Sequence, residues 1–330
     1  MKAVWKIIRK PIRGLYRVLN GFNGFLYDFK RFLFYGGWRE NLKDIDVRNY
    51  NTVMAYHGLE KSLSYKNRNS KSGWSNAERV FLRLKVAKSL NEYGYHDKAG
   101  KQVLLKFLKL SGNIESVRAK EMLREISSMN FESNENHGSL VKPLSDYKKG
   151  VLDNPENFFL TRYSLREFSG EVVGDEIIER AMKLAMKTPS VCNRQAWHVY
   201  HSKDKQVIKE VLSYQNGNKP FGEKTTNLLI ITADLRAFFS GFEHYQHWID
   251  GGLFSMSIMY ALHSLGLASC PLNWSQTPKR DKALRKAIDI KPYETVIMMV
   301  AFGYPDDSNK VCSSARRPLE EVFSNKIELK

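Results

Sequence analysis

Between Gly251 and Pro278 the chain carries no Asp, Glu, Lys or Arg, the longest such stretch in its 330 residues. A run of this kind is buried either in lipid or in protein. Ser255, Ser257, His263, Ser264 and Ser269 interrupt its apolar part. A helix apolar on nearly every side, yet carrying those polar groups, fits a protein core or a subunit interface better than a lipid face. The chain therefore needs a substantial domain around this helix, and its length allows one large domain or two ordinary ones. With 42% hydrophobic and 26% charged residues it is not of the disordered or low-complexity class. Cys192, Cys270 and Cys312 are widely spaced with no CxxC pair, so neither a disulfide framework nor a structural zinc site is supported, and a cytoplasmic location is the default.

Hydrophobic spacing divides the chain. Residues 41–130 read as helical, with apolar residues at helical intervals over Ala77–Tyr93, Ala99–Leu110 and Ile114–Ile126. Residues 131–150 lose that periodicity and are rich in Ser, Asn, Gly, Pro and charge, as an exposed linker is. Beyond it, strand-like segments (Trp197–His201, Leu228–Thr232, Val296–Phe302) alternate with helical ones (Asp175–Lys187, Lys205–Ser213, Gly251–Leu265, Lys279–Ala287). The expected organisation is a basic aromatic segment 1–38, a helical domain 39–130, a linker 131–150 and an α/β or α+β domain 151–330.

Three clusters carry candidate chemistry. In Arg162-Tyr163-Ser164-Leu165-Arg166, an extended backbone points residues 162, 164 and 166 the same way, so two guanidiniums and a hydroxyl converge where a phosphate would be welcome. A solvated edge strand with its charges outward explains the same residues. The loop Pro189–Trp197 must follow a helix that ends before Pro189. Its Ser190, Asn193 and Gln195 supply both donors and acceptors, which suits a heteroaromatic ring edge or, equally, a self-satisfied helix cap. Near the C-terminus, Arg316 and Arg317 would complete a phosphate clamp from the other end of the domain, or else be merely solvated. His198, His201, His244 and His247 have no accompanying carboxylate motif and read as ordinary histidines rather than metal ligands.

Taken in order, RYSLREF, PSVCNRQAW, IDGGLFSMSIMYALHSLGLASCPLN, MMVAFGYP and RRPLEEVF resemble the motifs of the nitroreductase family of FMN-dependent oxidoreductases, over about residues 155–325. The resemblance implies an α+β fold: a nitroreductase-like FMN-binding domain with a central, mostly antiparallel sheet flanked by helices, preceded here by a smaller all-α region. It implies a homodimer with FMN at the subunit interface, NADPH or NADH as reductant and a small-molecule electron acceptor. Arg162, Tyr163, Ser164 and Arg166 match the first FMN segment, and Arg316, with Arg317 beside it, matches the late phosphate arginine. Ser190, Asn193 and Gln195 match a flavin-contacting loop often given by the second subunit, and Pro271, Leu272 and Asn273 fall where backbone groups meet the redox edge. Hydride passes from nicotinamide to flavin N5 and on to an electron-poor acceptor, so no side-chain nucleophile or metal is demanded. Ala196 stands where many members have Pro, and the stretch 216–250 is short for the family.

The net charge of +17 restricts partners to anionic ones, and much of it lies before residue 38, where eight Lys and Arg oppose Asp28 alone. Interleaved aromatic and aliphatic residues there suit a helix lying on an anionic membrane, peripheral to the inner face, or a pair of helices packed on the rest of the protein. Nucleic-acid binding is disfavoured, since no helix-turn-helix, zinc-finger or RNP-type signature accompanies the charge. Tyr56–Leu63 is similar to an HxxEKxL segment of longer nitroreductase-like proteins linked to surface-polysaccharide synthesis. The competing reading of the whole chain is a non-catalytic, membrane-associated adaptor with a vestigial flavin domain.

Overall fold

The computed structural model describes residues 2–69 and 71–329, with side chains from residue 13 onward. In place of a helix pair, the N-terminus forms one long helix, α1 (Lys2–Tyr35). A helical region follows: α2 (Ile45–Ser64), α3 (Trp74–Leu90), α4 (Tyr95–Leu108), the single turn α5 (Ser111–Ile114) and α6 (Val117–Ser127). Val53, Leu59, Leu84, Leu104, Phe107 and Ile126 are fully buried together and give this region its own core. Arg48 of α2 is also fully buried, its Nε 3.1 Å from Asp97 of α4 and its guanidinium donating to the Leu42 and Glu92 carbonyls. A buried cation is tolerable only when paired and hydrogen-bonded in this way.

The stretch expected as a linker begins inside that core. Phe131 is 6% exposed, and the buried Lys101 ammonium binds the Met129 and Phe131 carbonyls. Polar composition hid these ties because the Lys101 bonds satisfy backbone carbonyls and the apolar anchors, Met129 and Phe131, are only two residues. Exposed chain follows from Ser139, through the short α7 (Leu144–Lys148) and α8 (Pro155–Leu160).

The remainder is α+β. In chain order come α9 (Asp175–Ala185), β1 (Trp197–Ser202), α10 (Lys205–Ser213), β2 (Asn227–Asp234), α11 (Gln246–Ser264), β3 (Ala268–Asn273), α12 (Pro278–Ala287) and β4 (Glu294–Gly303). The strands form one antiparallel sheet in the order β1-β2-β4-β3, so β1 and β3 are its edges. β2 and β4 are buried almost throughout, which explains their continuous apolar sequence. One face packs under α9 and α11 through Phe254, Ile258, Leu262 and Phe302, the other under α10 and α12 through Ile208, Leu212, Leu284 and Met299. Gly251 lets α11 lie close on the sheet: a Cβ there would meet Ile297 at 2.5 Å.

The end of α1 docks on this body. Tyr27 donates to Asp281 at 2.7 Å, Arg31 donates to the Glu294 carbonyl at 2.6 Å, and Phe32 packs with Ala196, Leu235 and Phe238. Arg236, just past β2, pairs with Asp44 at the N-cap of α2 and Asp46 in its first turn and so ties the helical region to the sheet. Among the described residues, no helix is long and apolar enough to cross a membrane.

Candidate functional site

The RYSLREF segment runs beside edge strand β3. Ser164 forms a parallel bridge with Ser269, and the Leu165 amide donates to the Ser269 carbonyl at 3.1 Å, while Leu165 and Phe168 anchor in the core. The backbone is extended here, with Arg166 exposed and Arg162 half-buried. Both guanidiniums act on one point: burial pushes the Cys270 thiol up, and Arg166 and then Arg162 pull it back. Arg162 and Tyr163 line a 270 Å³ cleft with Gly266, Ser269 and Val311. Arg166 lies 3.6 Å from Cys312 Sγ on the C-terminal arm.

Beyond the bridge, β3 has no strand partner on its outer side. Leu272 is 6% exposed and its side chain belongs to the core, so only its backbone is available to a ligand, whereas Asn273 is exposed. The Asn273 carbonyl accepts from Gln215 at 3.1 Å. Arg316 and Arg317 are exposed on the arm, with Arg316 folded onto the Ser314 carbonyl, and no ion pair joins either to the first cluster among the described residues.

The second half of the expected site lies elsewhere. In the loop after α9, Ser190 Oγ accepts from the Gln195 amide at 3.0 Å, and Gln195 Nε2 donates to Asn193 Oδ1 at 3.2 Å. Cys192, Asn193 and Gln195 all have positive φ, near 50°, a costly run for residues with side chains. What over-determines the loop is a set of residues that composition did not single out. The Val191 amide donates to Asp250 of α11, and Arg194, 1% exposed, forks onto Glu243 while its Nη1 donates to the Ala237 carbonyl. The rings of Phe238 and Phe239 lie 5.5 and 5.3 Å from that guanidinium. The loop is thus a rigid polar surface with Ser190, Asn193 and Gln195 half-buried at its face.

Its anchor Asp250 is at the start of α11, whereas the first cluster sits at the other end. There His263 donates to the Phe158 carbonyl at 2.9 Å and lines the Arg162 cleft. Thirteen residues of helix separate the two anchors, about 20 Å along the axis. One chain therefore does not bring the two halves together around a single ring.

The Nitroreductase family model matches residues 160–234 and 246–304, which hold both halves. A protein of Archaeoglobus fulgidus named as an NADH dehydrogenase/NAD(P)H nitroreductase is 31% identical over 151 residues, spanning 44% of this chain and 83% of that protein. The chain belongs to the nitroreductase family. A more distant relative is the iodotyrosine deiodinase of Hydra vulgaris, 23% identical over 207 residues, 52% of this chain and 74% of that one. Among solved structures, the FMN-dependent nitroreductase of Clostridium difficile R20291 is similar at 20% identity and a TM-score of 0.45, covering 52% of this chain and 98% of that chain. The nitroreductase-family portion thus begins near residue 160, and residues 1–159, including α1 and the helical region, lie outside the matched segments.

Proposed function

We propose that the protein is an FMN-dependent oxidoreductase that takes a hydride from NADPH or NADH and passes it to a small, electron-poor acceptor. The carrying observation is the pair of arginines, half-buried Arg162 and exposed Arg166, flanking Ser164 beside the open outer edge of β3. That set fits a phosphorylated flavin: the arginines meet phosphate or the electron-rich side of the ring, and the strand edge offers backbone groups to the ring's polar rim. Bound FMN supplies the two-electron relay at N5, so the side chains need only bind, orient and tune it. Arg166 is the residue we assign to stabilising negative charge near N1 and O2.

The separation of the two halves along α11 supports a homodimer. In a two-fold assembly, the Ser190–Gln195 loop of one subunit meets the Arg162 cluster of the other, and two sites result. α11 exposes Ile249 by 52% and Leu253 by 46%, apolar surface suited to such a contact. The arm after Pro305 is exposed throughout, which suits a segment that reaches across to a second copy, bringing Arg316 and Arg317 with it.

The exposed apolar stripe of α1, flanked by Arg13 and Arg17, supports peripheral contact with an anionic membrane at the cytoplasmic side. A link to surface-polysaccharide synthesis rests on Tyr56–Leu63 alone, where His57 and Glu60 pair at 3.2 Å on α2.

Absorbance of the purified, FMN-incubated protein tests the central reading. A yellow protein that bleaches anaerobically with NADPH or NADH supports it, and a protein that takes up no flavin removes it.

A further inference from the structure

Beneath the C-terminal half of α1 lies a cavity of about 710 Å³, bounded by Phe29, Phe32 and Leu33 of the helix and by Leu235, His247 and Trp248 of the body. This is the size of a site for one small organic molecule, and its walls are mostly aromatic. An apolar stripe leads into it. Leu15, Leu19, Phe22, Phe25, Phe29 and Leu33 recur at intervals of three and four residues along one face of α1, and each remains about half exposed or more.

The wall carries one polar group with an unusual status. His247 is 5% exposed, and no described residue hydrogen-bonds either ring nitrogen; Nδ1 is sealed from solvent, which leaves Nε2 as the nitrogen a molecule in the cavity can reach. Its ring stacks on Phe32 at 6.2 Å and lies 5.9 Å from Phe238. Buried polar groups in folded proteins are nearly always paired, so a wall imidazole with no protein partner has hydrogen-bonding capacity left for a ligand. Burial, with Arg31 and His244 nearby, pushes its pKa down to about 3, so the imidazole is neutral and able to offer a donor or an acceptor. Asp28 and Arg31 also border the cavity and are opposite in sign, which leaves no net charge to select an ionic ligand.

We propose that this cavity binds one neutral, lipophilic small molecule, an alkyl or aryl body bearing a single hydroxyl or carbonyl that hydrogen-bonds the His247 imidazole. The body lies against Phe29, Phe32 and Trp248, and its far end follows the stripe of α1. The site does not depend on the flavin reading, because none of its residues belongs to the Arg162 cluster or to the Ser190–Gln195 loop.

The neutral fluorophore N-phenyl-1-naphthylamine, titrated into the full-length protein, is the probe, with 1-decanol, decanoate and decyltrimethylammonium as competitors. The fluorophore is expected to brighten with one site per chain, and 1-decanol to displace it at least tenfold more effectively than either ion. Phe29→Glu, at a side chain already 60% exposed, leaves the fold intact by circular dichroism and abolishes the signal. His247→Leu keeps fluorophore binding but weakens displacement by 1-decanol roughly two- to tenfold, the worth of one hydrogen bond. Wild-type binding by Phe29→Glu, or equal competition by all three head groups, overturns the proposal. Should His247→Leu fail to fold, the Phe29→Glu and head-group comparisons still decide it.

Discussion

Arg194 and Glu243 form a forked ion pair, with Nη1 to Oε2 at 3.0 Å, that fastens the polar loop after α9 to the segment entering α11. The guanidinium is 1% exposed and packed between two phenylalanine rings, so it has no alternative partner in water. Removing either charge leaves the other uncompensated. Arg194→Met is expected to cost about 3 kcal/mol or more in urea-unfolding experiments. An unchanged midpoint would show that the pair is incidental.

Arg166 is exposed, Arg162 is half-buried, and neither fastens the core, so their loss is expected to spare the fold and weaken the flavin site. Each of Arg162→Ala and Arg166→Ala should raise the FMN dissociation constant about tenfold to hundredfold, the worth of one charge-assisted contact. Flavin fluorescence quenching reads the change, with thermal unfolding as the control.

The two-subunit site predicts that assembly and flavin binding fail together. Leu253→Arg places a charge on the exposed apolar face of α11. Size-exclusion chromatography with light scattering should report a monomer, and that monomer should elute without flavin. A flavin-replete monomer would count against sharing of the site.

His96 sets a pH dependence of stability. Its Nδ1 is hydrogen-bonded to the Tyr56 hydroxyl at 2.8 Å, and burial, followed by the charge of His137, pushes its pKa down from 6.5 to about 4. The unfolded chain binds the proton first as pH falls, so the contribution is complete above 6.5 and is lost on going down towards 4. About 3 kcal/mol is at stake. The difference in unfolding free energy between wild type and His96→Asn should therefore shrink between pH 7 and pH 4.5; a constant difference would exclude this origin.

Membrane contact through α1 is testable without touching the cavity. Leu19→Glu and Phe22→Glu alter side chains 57% and 65% exposed. Co-sedimentation with phosphatidylserine vesicles should fall sharply in both, and wild-type binding should weaken with added salt. Equal sedimentation of all three proteins would refute a role for the stripe.

Elements with a strong period are legible in the sequence alone. β2 and β4 announced themselves as uninterrupted apolar runs, and Lys205–Ser213 was bounded correctly because Asp204 caps it and Ile208, Val211 and Leu212 recur at helical spacing. β3 was missed: Ser269, Pro271 and Asn273 break any strand pattern, and the apolar run of α11 flows into it without a change in composition. The extended course of Arg162–Arg166 is legible in the sequence, and the structure lays that segment along β3. The pairing of Arg194 with Glu243 is not legible, because a charged loop residue reads as solvated until its partner, 49 positions away, is known. The separation of the two half-sites is likewise a property of helix length in space, invisible to motif order.

The sheet ends at β1 with its outer backbone uncovered by any other strand of the same chain. A lone copy thus carries an adhesive border, Trp197–Ser202, that will accept a stranger's strand as readily as a proper partner's. Overheated preparations should therefore precipitate from this margin first.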